Sequence, residues 1–63
     1  MSVGENVKKA REDRNMTQEA LAAAVDVSVP MICRIERGVK LPSLPLLCSI
    51  ADAFGIPAGQ LLD

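Results

Sequence analysis

The sequence predicts an all-α fold of five short helices, and three observations predict it. Hydroxyl residues stand at intervals where a helix could open, at Ser2, Thr17, Ser28 and Ser43, each able to accept from the free amides of the turn that follows. Apolar residues then recur at helical spacing, as Val7 and Ala10, Leu21, Ala22 and Val25, Ile32 and Ile35, and Leu47, Ile50, Ala51 and Phe54. Finally, Gly38 and Gly55 stand where the third and fourth stripes end, and Gly55 suits a left-handed helix cap.

Each element can be justified in order. Ser2, with Glu5 three positions on, forms a capping box for a first helix running to about Arg14, with Val7 and Ala10 inward. Asn15 and Met16 turn the chain into Thr17, which caps a second helix from Gln18. Ser28 caps a third from Val29, and Pro30 fits its first turn, where a missing amide costs nothing. The connection between the second and third helices is about three residues, which forces them to cross steeply and leaves the third an outward face. Ser43 caps the fourth helix, and a short fifth from about Ala58 lays Leu61 back on the core, while the adjacent Leu62 cannot face the same core and is left wanting cover.

Length and composition bound the class. A chain of 63 residues buries only about 60% of the surface its unfolded form exposes, so its stability is expected to be marginal. Cys33 and Cys48 are too few for a disulfide framework, and no histidine accompanies them to suggest a metal site. Reduced thiols and the lack of an apolar leader fit a cytoplasmic protein. The longest apolar stretch, Leu41 to Ala51, is short and broken by Pro42 and Pro45, so no membrane span is expected. No linker, repeat or low-complexity segment interrupts the chain, which reads as one domain over residues 1–63 with no effector half.

Catalysis finds no support. There is no histidine, the carboxylates are dispersed, neither cysteine has a base at a suggestive spacing, and no glycine-rich phosphate loop exists. The expectation is a non-enzymatic protein without a cofactor, a metal or an evident small-molecule ligand. Cys48 is expected to be a buried or half-buried core residue.

The run from Thr17 to Gly38 carries a resemblance. The order Thr-Gln-Glu-x-Leu-Ala, then Val-Ser, then Ile-x-Arg-Ile-Glu-Arg-Gly resembles the phage repressor and Cro type of helix-turn-helix regulator. Upstream, Val7-Lys8-Lys9-Ala10-Arg11 resembles that family's first helix. Downstream, Pro42-Ser43-Leu44, Leu47, Ile50 to Ile56 and Leu61-Leu62 resemble its last two. Essentially the whole chain is covered, which implies a compact five-helix lambda-repressor-like DNA-binding domain with the helix-turn-helix at helices two and three.

The resemblance assigns roles to particular residues. The base-facing positions it implies are Ser28, Val29, Pro30, Met31, Cys33 and Arg34, of which only Arg34 can make a bidentate contact to guanine. Val29 and Met31 offer at most a surface for a thymine methyl. Thr17 and Gln18 at the start of helix two fall where free amides and the helix dipole suit a phosphate, and Arg37 and Lys40 flank Gly38 as a second backbone contact. Arg11 and Glu36 fall on apolar stripes, where an unpaired charge would be costly; the resemblance implies a structural salt bridge between them. Two departures stand out. Asp26 occupies a turn position where glycine is usual, predicting a turn formed with some strain, and Pro57 replaces a hydroxyl cap, predicting a last helix poorly anchored unless a partner covers it.

Charge argues in the other direction. The net charge is −1 and the isoelectric point about 5.2, unusual for a protein that approaches phosphates. Distribution softens this, since all seven basic residues lie between Lys8 and Lys40 while only Asp52 and Asp63 are charged beyond them. That distal part is free for a second copy, and Ile56, Pro57, Ala58 and Leu62 are the expected homodimer surface. Two readings follow: a homodimeric regulator inserting helix three into an inverted-repeat DNA site, or a protein-interaction module, antitoxin-like or adaptor, on the same fold.

Overall fold

The computed structural model describes residues 2–63 and consists of four α-helices and one short 3-10 turn. They are α1 (Val3–Asp13), α2 (Gln18–Val25), α3 (Val29–Glu36), α4 (Leu44–Phe54) and the 3-10 turn Ala58–Leu61. Each α-helix opens on a side-chain oxygen. Ser2, Thr17, Ser28 and Ser43 are in extended conformation and accept from Glu5, Ala20, Met31 and Leu46 backbone N–H groups, respectively.

Those caps set the phase of each helix and hence which face it buries. Val7, Leu21, Ala22, Ile32, Ile35, Leu47, Ile50, Ala51, Phe54 and Leu61 form one continuous core. α3 packs against both α1 and α2, α2 also against α4, and the 3-10 turn against α4 and α1. Close packing of α1 on α3 depends on Gly4: a Cβ there would lie 2.1 Å from the Ile35 carbonyl oxygen, a backbone atom that cannot yield cheaply.

The turns are built from left-handed residues. Asp26 (φ 58°, ψ 46°) closes α2, a conformation that costs most residues roughly 1–2 kcal/mol and Asp less. The following N–H, of Val27, returns to the Ala22 carbonyl at 3.0 Å, so the turn between α2 and α3 is hydrogen-bonded as well as strained. Asn15 adopts φ 54° before α2, and Gly55, at φ 70°, ends α4 without the Cβ penalty.

The expected fifth helix is present as a short 3-10 turn, which Pro57 opens without a side-chain cap. Of the adjacent pair, Leu61 is buried and Leu62 is 56% exposed, as expected of neighbours that cannot share a face. One expectation needs correction. Cys48 is exposed, not a core residue: it sits one position past Leu47 and so rotates off the stripe that Leu47, Ile50, Ala51 and Phe54 bury. Among the described residues no helix is long and apolar enough to cross a membrane.

Candidate nucleic-acid interface

The two helices that carry the candidate residues are joined by a buried ionic knot. Arg11 reaches from α1 and donates through Nε to Glu36 Oε2 at 2.7 Å and through Nη2 to Glu36 Oε1 at 3.1 Å. Its remaining Nη1 donates to the Met16 carbonyl at 2.7 Å, in the loop just before Thr17. The side chains are only 11% and 3% exposed. Glu36 ends α3, where a negative charge opposes the helix dipole. The guanidinium compensates, and the hydrogen bonds from Arg11 to Glu36 raise the Arg11 pKa above its ordinary value.

Gln18 joins the same knot. Its Nε2 donates to Glu36 Oε1 at 3.1 Å, so the first residue of α2 is tied to the last residue of α3. Thr17 is exposed and Gln18 half-buried beside it. Their first-turn amides precede the first intrahelical bond, from Leu21 N–H to the Thr17 carbonyl, and point out of the helix start.

Along α3 the base-facing candidates divide. Ser28, Pro30 and Arg34 are exposed, while Val29, Met31 and Cys33 are half-buried. Val29 and Met31 pack against the core and so spend part of their surface on the fold. After α3, the amides of Val39 and Lys40 both return to the Arg34 carbonyl, at 3.0 and 3.3 Å. This folds the Arg37–Lys40 loop back onto the last turn of the helix, and both basic residues in it are exposed.

The cations separate into engaged and available groups. Arg11 is consumed by the knot, and Arg14 donates to the Phe54 and Ala10 carbonyls with its guanidinium 5.3 Å from the centre of the Phe54 ring. Lys9 pairs with Asp13 at 3.4 Å. Among the described residues Lys8, Arg34, Arg37 and Lys40 make no ion pair. The last three lie together on α3 and the loop that follows.

Ile56 and Ala58 are half-buried, and Pro57 and Leu62 exposed. They belong to the turn after α4 and the chain end, not to the α2–α3 unit. Next to them a groove of about 370 Å³ is lined by Asn6, Ala10, Arg14, Ile56 and Gln60.

Sequence reasoning missed Asn6, whose Nδ2 donates to the Leu61 carbonyl at 3.0 Å and to the Asp63 carbonyl. This anchors the last turn from within the chain, where Pro57 had predicted poor anchoring. It also missed three exposed apolar side chains: Val39, Leu41 and Leu44 are 66%, 75% and 67% exposed. The apolar stretch that begins at Leu41, broken by Pro42 and Pro45, was the available signal.

A capped helix, a left-handed turn and a second capped helix with a free outer face, held on a small helical core, define a helix-turn-helix protein. The chain belongs to the Helix-turn-helix family, whose model matches residues 7–61, a family of DNA-binding transcriptional regulators. It is 35% identical over 63 residues to the HTH-type transcriptional regulator DdrOP3 of Deinococcus deserti, covering all of this chain and 49% of that protein. It is 36% identical over 58 residues to the HTH-type transcriptional regulator YazB of Bacillus subtilis, covering 92% of this chain and 84% of YazB. The chain thus spans about half of the first relative and most of the second. Its structure is similar to the P22 c2 repressor in complex with a synthetic operator, with a TM-score of 0.93 and 27% identity over 100% of this chain and 96% of that one.

Proposed function

We propose that this chain binds double-stranded DNA as a sequence-specific transcriptional regulator, and that a homodimer lays α3 of each copy in successive major grooves of an inverted repeat. One observation carries the reading: the cations Arg34, Arg37 and Lys40, which make no ion pair among the described residues, gather at one end of α3. The P22 c2 repressor of the same fold was solved on an operator. Arg34 reads a guanine, while Thr17, Gln18, Arg37 and Lys40 hold phosphates. Ser28, Val29, Pro30, Met31 and Cys33 supply shape and apolar contact. Ile56, Pro57, Ala58 and Leu62 form the dimer surface, with the groove beside Ile56 open to the partner's Leu62, and residues 1–63 act as one domain.

The test begins with selection of a duplex from a randomised pool by the intact chain. Binding to the recovered duplex should fall with salt along a log–log slope of roughly −4 to −7 for a dimer with two to four phosphate contacts per subunit. Arg34→Ala should cost about 1–3 kcal/mol and relax preference at one base pair per half-site, whereas Lys40→Ala should weaken all sequences alike. Leu62→Asp should shift the sedimenting species toward monomer and weaken binding together. The exposed Val39, Leu41 and Leu44 favour a second reading, a protein-binding module. Recovery of no duplex, with a salt slope near zero, would select it over the first.

A further inference from the structure

We infer that Glu36 is a positioning residue for Gln18, holding its side chain ready for a phosphate oxygen before DNA arrives. The inference rests on the DNA-binding reading above and deepens it. A carboxylate can only accept, so the end of the Gln18 amide that faces Glu36 Oε1 must be its NH2 group. One of the two N–H bonds is used in that contact, and the other is left to meet a phosphate oxygen. The same Oε1 is fixed from behind by Arg11 Nη2, so the amide is held by an atom that is itself held.

The chain of contacts has a mechanical consequence. Arg11 grips the residue before the α2 cap through the Met16 carbonyl and the end of α3 through Glu36, and Gln18 closes the triangle from the start of α2. The phosphate donors at the α2 start and the base-facing side of α3 are therefore set at one fixed separation. Rotamer freedom of Gln18 is lost when the chain folds and not when it binds, which favours binding by preorganisation. The Glu36 carboxylate also sets the position of the Gln18 nitrogen, so the N–H that remains is presented from a fixed point beside the start of α2.

The test uses the full chain and the duplex recovered by selection. In the unbound wild-type protein, ¹⁵N relaxation of the Gln18 side-chain amide should give order close to that of rigid backbone, an order parameter approaching about 0.85 and not below about 0.6. Gln18→Ala should weaken duplex binding roughly tenfold in the wild-type background. In the Arg11→Met/Glu36→Leu background, which removes both buried charges together and leaves none unpaired, the same change should cost no more than about twofold. A freely mobile amide in the unbound wild type overturns the inference even if the double variant fails to fold. Equal loss from Gln18→Ala in both backgrounds overturns it too, because a merely structural Glu36 would leave Gln18 unaffected. If the wild-type chain binds no duplex at all, the DNA-binding reading fails and the positioning role falls with it.

Discussion

α1 is fastened near both of its ends, but by different chemistry. Towards its C-terminus, the buried Arg11 pairs with Glu36 of α3; towards its N-terminus, the buried Asn6 donates to carbonyls of the chain end. The charged fastening is strong only while both partners are present, because each ion has given up its water for the other. The neutral one loses little beyond its own hydrogen bonds when it is cut. The helix-turn-helix unit is thus held by an interaction that fails abruptly, and the chain end by one that fails gradually.

The largest expected effect breaks the comparison at its charged side. Arg11→Ala or Glu36→Ala alone should cost about 3–5 kcal/mol in urea unfolding, since each leaves a buried charge without a partner. That approaches the whole stability of a small domain. Arg11→Met/Glu36→Leu, which leaves no orphan, should return most of it. A double variant as unstable as either single one would mean that the fork geometry, not charge compensation, dominates. The Arg11 guanidinium is held above its ordinary value by the Glu36 hydrogen bonds, so its share of the stability is complete below the unfolded-state value and is lost only as pH rises through the higher folded one. The neutral range should therefore show no loss from this group.

At the neutral fastening the expected change is smaller. Asn6→Ala should cost about 1–2 kcal/mol, the worth of two buried hydrogen bonds to carbonyls. Amide exchange of Gln60 and Leu62, which donate to the Pro57 and Gly59 carbonyls, should quicken before that of the core helices. If those amides keep wild-type protection, the turn is held by the burial of Leu61 and not by Asn6.

The same contrast explains what the sequence made legible. A charge on an apolar stripe demands an opposite partner, so Arg11 and Glu36 announce themselves, and hydroxyls followed by helical apolar spacing disclose the four α-helices with their starts. Nothing comparable marks Asn6, because an amide in a helix is equally at home in water. Gly4 reads as a weak helix former, and only the backbone of α3 passing within reach of its absent Cβ gives it a purpose. The Gln18–Glu36 contact is invisible for a third reason: it depends on the crossing angle of two helices, which spacing bounds but does not specify. Pro57 announced the missing cap of the last turn, but not the anchor that Asn6 supplies in its place.

The smallest effect sharpens the comparison by adding a charge that is neither buried nor paired with another. Ser2 donates its backbone N–H to Glu5 Oε1 at 3.0 Å while its Oγ accepts from Glu5 N–H at 3.1 Å. Hydrogen bonding with Ser2, through its backbone first and its side chain second, lowers the Glu5 pKa below its ordinary value. A lowered folded-state value means that the stabilisation is complete above the unfolded-state value and disappears as pH falls through the folded one. Wild type and Glu5→Gln should therefore differ by a constant amount at neutral pH, with the difference shrinking as pH falls through the carboxylate range, about pH 4 and below. Because the group is exposed, added salt should not unfold this end of α1 as loss of Arg11 would. Thermal melts of the two proteins from neutral to acid pH are the measurement. A gap that persists unchanged well below the carboxylate range would show that Glu5 acts through packing or helix propensity and not through its charge.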